Sequence, residues 1–371
     1  MYPIKQLVSL LLSLFEIAVP FAAQKLSNDG EKYMYEWSSD LEFSDEHFVE
    51  IEKTPGKDFK ILNLTDIQLY DSEIYEKDGI GEDCHNLVKQ LIEDERPDLI
   101  TLSGDCFCST LSTLDLIDIL ESYEIPWAPV FGNHDGGNQG EWQFWAAWHL
   151  ANAKHSLFEF GPKDMGYGNY IINLTENDKV IHSFYMMDTH GTIGSFDGKN
   201  GKTYYYYDHL WDNQIAWYEW AVHGNERLAG HPVQSTAIMH IPLREYGDAW
   251  KSVSTKEKGP GIQYGLLDPQ YSDIAFGLCR WGGGWPKENN GFFDKVKELG
   301  STKDIIAGHD HYNDSSVLYE GVRLTYSLHT GFGGYYWEDL YGGTVLTIDS
   351  EGKTNTHHVY YTFADGEWIA K

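Results

Sequence analysis

Basic residues are scarce in this chain. Only 27 of its 371 residues are Lys or Arg, against 57 Asp or Glu, which gives a formal net charge of −30. A surface of that sign repels nucleic acid and anionic membranes, so neither is an expected partner. An anionic substrate would need cations held locally, and bound metal can supply them. Cysteine is nearly as sparse: Cys84, Cys106, Cys108 and Cys279 match no zinc-site spacing and leave disulfides and buried free thiols both open. Beyond the amino terminus no stretch reaches the ~18 consecutive apolar residues that a membrane span requires. No internal repeat or interdomain linker is visible. What is present is 42% hydrophobic and 15% aromatic content, enough to bury a sizeable core.

Residues 1–23 combine Lys5 with an apolar run, the pattern of a secretory signal, and point to a secreted or extracytoplasmic protein. A retained anchor is the alternative. Residues 24–58 are polar and acidic and read as a surface lead-in with one edge strand near 48–52. Residues 59–371 read as one domain. Asn63, Asn173 and Asn313 fall in glycosylation sequons, but Asn63 lies inside an expected core strand.

Within that domain, apolar runs repeatedly end in clusters of polar residues. An expected strand over 59–65 delivers Asp66-Ile67-Gln68. A helix over 82–95, with Leu87, Val88, Leu91 and Ile92 on one face, leads to a strand over 99–102 and Gly104-Asp105. A second helix over 110–123 and a strand over 127–131 then reach Gly132-Asn133-His134-Asp135. The order is βαβαβ, whose parallel strands and right-handed crossovers bring all three motifs to one sheet edge, where ligand sites lie in open α/β sheets. Residues 136–168 are rich in aromatics and are expected to form helices over the mouth of that site. A hairpin follows over 169–187. Residues 191–208, with four consecutive tyrosines, read as a surface loop able to reach the active edge. A helix over 212–225, a strand ending in His240, irregular structure over 251–286, and a strand over 304–307 ending in Gly308-His309-Asp310-His311 complete the order, before closing hairpins.

No folding rule asks for amides, imidazoles and carboxylates at the ends of five buried strands. Metal binding does. Divalent ions take carboxylate oxygen and imidazole nitrogen at ~2.0–2.2 Å. Asp66, Gln68, Asp105, Asn133, His240, His309 and His311 are too many ligands for one ion. Two ions ~3.5–4 Å apart, bridged by Asp105, would use all seven and leave room for a bridging hydroxide.

The ordered set D-x-Q, G-D, G-N-H-D, H and G-H-D-H resembles the calcineurin-like metallophosphoesterases. "MHIPLREY", "AGHDHYND" and "HTGFGGYY" are similar to the small purple-acid-phosphatase-like branch of plants and fungi. The resemblance implies a four-layer α/β/β/α sandwich of two mixed β-sheets. It also implies two divalent or mixed-valence metal ions (Fe, Zn, Mn or Mg), with Asp66, Gln68, Asp105 and His311 at the first and Asp105, Asn133, His240 and His309 at the second. His134 would protonate the leaving oxygen, with Asp135 orienting it. Two positions depart from the family pattern. Gln68 stands where the family has His or Gly, and Cys108 where purple enzymes place the tyrosine that binds ferric iron, so a purple ferric centre is not expected. The implied activity is hydrolysis of a phosphomonoester, on a phosphorylated small molecule or phosphoprotein, by the bridging hydroxide. A phosphodiesterase acting on nucleotides or lipid head groups, and a non-catalytic metal-binding relative, are the alternatives.

Overall fold

The computed structural model describes residues 33–70, 80–135, 140–199, 201–282, 284–332, 335–337, 339–364 and 366–371. The signal expected over 1–23 lies outside them. In chain order the strands and helices are β1 (Val49–Glu52), β2 (Phe59–Leu64), α1 (Ile80–Glu95), β3 (Leu99–Ser103), α2 (Thr110–Ser122), β4 (Trp127–Val130), α3 (Gly140–Asn152), β5 (Tyr170–Glu176), β6 (Lys179–Met186), β7 (Thr192–Asp197), β8 (Thr203–Tyr207) and α4 (Asp212–Ala229). There follow β9 (Gln234–Met239), α5 (Glu245–Val253), β10 (Ala275–Phe276), α6 (Phe292–Leu299), β11 (Thr302–Ala307), β12 (Ser316–Tyr319), β13 (Val322–Tyr326), β14 (Tyr341–Ile348), β15 (Thr354–Ala364) and β16 (Glu367–Ala370).

Two mixed sheets carry the fold. The six-stranded sheet runs β16-β15-β14-β2-β3-β4 and the eight-stranded sheet runs β1-β5-β6-β9-β11-β13-β12-β10. As the βαβαβ order requires, β2, β3 and β4 are parallel neighbours. The predicted stripe Leu87, Val88, Leu91 and Ile92 is buried in α1. In α2, Leu116, Ile117 and Leu120 are buried, while Leu111 and Leu114 are half-buried.

The period-two alternation of a strand explains the layering. Ile172, Phe184, Ile238 and Ile306 join one core cluster with both faces of the smaller sheet and α1 to α3. Their neighbours Ile171, Tyr185, Ala237 and Ile305 join a second cluster with α4, α5 and α6. The result is the α/β/β/α sandwich. Polar contacts stitch the two sheets together: Asn63 Nδ2 donates to Ser327 Oγ at 2.7 Å, and the Asp304 carboxylate accepts from Thr354.

Several local expectations change. Of the stretch 136–168, residues 136–139 lie outside the described residues, and the rest does not simply roof the site, because Phe144, Leu150 and Phe158 are packed into the first core cluster. Within the stretch read as a surface loop, β7 and β8 pair as an antiparallel hairpin. Helix α5 and strand β16 were not visible in the sequence. In the lead-in, β1 is an edge strand paired with β5 and Phe43 is buried. All four cysteines are free and buried, and all three sequon asparagines are buried. Among the described residues no helix is long and apolar enough to cross a membrane.

Candidate metal centre

Strands from both sheets deliver the polar motifs to one place: β2 leads to Asp66, β3 to Asp105, β4 to Asn133, β9 to His240 and β11 to His309. The turns there are tight enough to force unusual backbone. Asp66, Gln68, Asp105 and His309 all have left-handed φ values of 52°, 48°, 52° and 76°. Such strain in non-glycine residues persists where the surroundings impose it, characteristically at functional sites. Two of the motif glycines exist for close approach. A Cβ on Gly132 would lie 2.3 Å from Asp105 Oδ1, and one on Gly308 would lie 2.1 Å from Thr65 Oγ1 and 2.7 Å from Asp66 Oδ2.

All seven expected ligands meet in one continuous chain of contacts. His311 Nε2 is 3.1 Å from Asp66 Oδ1, and His309 N donates to Asp66 Oδ2 at 2.9 Å. His309 Nδ1 is 3.3 Å from His240 Nε2, which is itself 3.2 Å from Asp105 Oδ2 and 3.1 Å from Asn133 Oδ1. Gln68 Nε2 donates to Asp105 Oδ2 at 3.3 Å, and its Oε1 is buried with no protein partner. Ligand atoms of Asp105, His240 and His309 all fall within 4.8 Å of one another.

The surroundings aim these atoms. His240 Nδ1 is 2.8 Å from the Ser103 carbonyl and His311 Nδ1 abuts that of Tyr335, so in both rings Nδ1 donates to a backbone carbonyl and Nε2 is the atom turned to the cluster. The electrostatics are those of a desolvated ion cluster. Burial pushes the Asp66 and Asp105 carboxyls up, but the neighbouring histidines outweigh it and hold both below the usual range. Burial lowers His240, yet Asp105 carries it up to about 9, while burial and His240 together push His309 down to about 3. An orphaned amide oxygen, paired carboxylates and facing imidazole nitrogens are the donor set that borderline divalent ions take.

His134 and Asp135 are not paired with each other. His134 is exposed at the rim, and its Nδ1 faces the Tyr70 hydroxyl at 3.0 Å. Asp135 is buried and spends both oxygens on backbone amides, accepting from Phe107 N at 2.5 Å and from Gly132 N at 2.8 Å. The predicted orienting pair is therefore replaced: Asp135 clamps the two metal loops together, and Tyr70 is the partner of the imidazole.

The sequence matches a known family. The calcineurin-like phosphoesterase family model matches residues 59–313. The chain belongs to this family. Phosphatase DCR2 of Saccharomyces cerevisiae is 28% identical over 71% of this chain and 46% of its own length. The Arabidopsis thaliana protein named probable inactive purple acid phosphatase 14 is 28% identical over 67% of this chain and 62% of its own. The chain thus spans about half the length of the yeast relative and three-fifths of the plant one. A solved dimetal phosphatase from Danio rerio aligns over 80% of this chain and 98% of its own, with TM-score 0.42 and 12% identity.

Sequence reasoning missed Tyr70, Tyr207 and Tyr335. The Tyr207 ring stands against His309 and the Tyr335 ring lies on His311. Tyr70 carries no motif signal; Tyr207 lies in the four-tyrosine stretch and Tyr335 in HTGFGGYY, but only the fold shows which of these rings meet His309 and His311. Asp310 was visible inside its motif. It is buried with Oδ2 unpartnered, and burial pushes its carboxyl up to about 7. Of the basic residues flanked by motifs, Arg280 is engaged by Asp314 at 2.6 Å and Arg244 by the Lys287 carbonyl. His329 is buried with neither ring nitrogen partnered by protein.

Proposed function

We propose that the chain is a dinuclear-metal phosphomonoesterase. In this reading Asp66, Gln68, Asp105 and His311 hold one ion and Asp105, Asn133, His240 and His309 the other, each drawn from Fe, Zn, Mn or Mg. The observation that carries it is the continuous chain of contacts linking all seven residues, one link of which is the His309 backbone amide on Asp66, with Asp105 touching members of both sets. Bound metal supplies positive charge for the phosphoryl oxygens and a water acidic enough to act as nucleophile near neutral pH.

The rest is done by the chain itself. The Ser103 and Tyr335 carbonyls fix the tautomers of His240 and His311. Asp135 fixes the distance between the loops after β3 and β4, so Asp105 and Asn133 keep their places. With the His134 ring turned to Tyr70 through Nδ1, its Nε2 is the atom that passes a proton to the departing alkoxide. Phosphorylated small molecules or phosphoproteins are the substrates this site would accept. Residues 1–23 act as a secretory signal in the same reading, which amino-terminal sequencing of secreted protein would test.

The functional test is elemental analysis of purified protein coupled to hydrolysis of an aryl monophosphate and of its bis-ester. Cleavage of the monoester with two bound ions per chain supports the proposal. Preference for the bis-ester makes the protein a phosphodiesterase, and bound metal without cleavage makes it a non-catalytic binder.

A further inference from the structure

Tyr207 and Tyr335 stand directly against two of the proposed ligands. The Tyr207 ring meets His309 edge to face, with centroids 4.3 Å apart and planes at 84°. The Tyr335 ring lies nearly flat on His311, at 4.5 Å and 18°, and its hydroxyl donates to the His309 carbonyl at 3.3 Å. Tyr312 packs edge-on against Tyr335 at 4.8 Å and lies 6.3 Å from Trp281. Several of these rings are open to solvent: Tyr335 is 46% exposed, Trp281 41%, and Tyr205, on the same hairpin face as Tyr207, 55%.

The hairpin that carries Tyr205 and Tyr207 is rooted at the centre itself. Gly191 at its base sits so close that a Cβ would lie 3.9 Å from Asn133 Cα. Exposed aromatic surface gathered on one rim, rather than scattered singly, marks a place where something binds. The nearby cation Arg280 is already held by Asp314, with its guanidinium 5.7 Å from the Trp337 ring. Arg280 is thus committed elsewhere, and the tyrosine ring faces and edges are the surface that stands against the proposed ligands.

We propose that Tyr207 and Tyr335 form the wall against which the alcohol part of the substrate lies, and that the site selects phosphomonoesters whose alcohol carries an aromatic ring next to the phosphoryl group. The inference rests on the phosphomonoesterase reading. A ring placed there gains an edge-to-face or offset-stacked contact, each worth a factor of about three to ten in affinity.

The test uses manganese-loaded full chain and calorimetric titration with benzylphosphonate and ethylphosphonate, which share a head group and differ in the ring. Benzylphosphonate binds about three- to tenfold tighter, and the ratio shrinks in Tyr207→Ala and in Tyr207→Leu, which keeps apolar bulk without a ring. Equal affinities in the wild type, or a ratio unchanged in a folded Tyr207 variant, overturn the wall. Turnover of ethyl phosphate by the same preparation is read separately. A benzyl preference without turnover of any ester removes the phosphatase reading and leaves the wall standing, whereas turnover without the preference removes only the wall.

Discussion

The phenolic oxygen of Tyr70 lies 3.0 Å from Nδ1 of His134, on the imidazole edge where a carboxylate was expected. Its effect acts through His134, so Tyr70 is a positioning residue. Losing one such hydrogen bond should slow turnover by about three- to tenfold. The loss should depend on the leaving group. An alkoxide needs the proton that His134 delivers, whereas a nitrophenolate leaves without it. Tyr70→Phe should therefore lower kcat for alkyl phosphates and barely change it for nitrophenyl phosphate, with metal content unaltered. An equal loss on both substrates would show that Tyr70 only supports the fold.

Asp105 and His134 sit one hydrogen bond apart, His134 N donating to Asp105 Oδ1 at 2.7 Å, yet their roles separate. Asp105→Ala removes the residue common to both proposed ligand sets and should abolish metal binding together with turnover. His134→Ala leaves its backbone donor in place. It should retain both ions while losing on the order of 10²–10⁴ in rate on alkyl esters, the usual span of general acid catalysis. Elemental analysis of the two variants decides the matter, and a metal-free His134→Ala would refute the division of labour.

The motif residues were legible because each ends a strand whose apolar pattern is strong, and because parallel βαβ connections leave no choice about which sheet edge they reach. His240 and the loop from His309 to His311 were legible for the same reason, although they hang from the other sheet. Asp135 was not. A carboxylate beside an imidazole in sequence invites pairing, but the turn after β4 points it inward to Gly132 N and Phe107 N, and nothing local announces that two amides there lack acceptors. Hairpin β7/β8 was hidden because the strand pattern of residues 192–197 and 203–207 has no buried face to reveal it, most of its residues being exposed. Helix α5 was missed because a glycine, Gly247, sits in it, packed beneath Trp285 where a side chain would crowd the ring.

The clamp assigned to Asp135 has its own consequence. Asp135→Ala strands two backbone donors that the fold otherwise buries with acceptors, and should cost about 2–5 kcal/mol in urea unfolding. Asp135→Asn keeps one acceptor oxygen and should cost less. Unchanged stability of the alanine variant, combined with a selective loss on alkyl esters, would return Asp135 to the imidazole.

Gly308 makes the fit of the centre testable without touching a ligand. The Cβ of Gly308→Ala would collide with Thr65 Oγ1 and press on Asp66 Oδ2, the oxygen that accepts from His309 N. Displacing Asp66 should weaken metal binding by tenfold or more, on the scale of losing a supporting contact to a ligand, on the order of 10–100-fold. Titration with manganese, followed by thermal denaturation with and without the ion, reads both effects. Wild-type affinity in the variant would mean that the loop has slack the structure does not show.

Acid stability should depend on His182, far from the metal loops. Its ring is fully buried between the sheets, with Nδ1 3.0 Å from the Gly352 carbonyl and Nε2 2.9 Å from Thr236 Oγ1. Burial lowers its pKa to about 4, opposed only by the Gly352 carbonyl, which favours the charged form. An unfolded histidine titrates near ~6.5. Between these values the unfolded chain takes up a proton that the folded chain refuses, so the stabilisation is complete above about pH 6.5 and is lost as pH falls toward 4. The loss is on the order of 3 kcal/mol. Denaturant unfolding of the wild type from pH 7 to 4 should therefore fall more steeply than that of His182→Gln, which cannot titrate and keeps hydrogen-bonding groups for Gly352 and Thr236. Parallel curves for the two proteins would place the acid sensitivity elsewhere, with the carboxylates of the metal loops the next candidates.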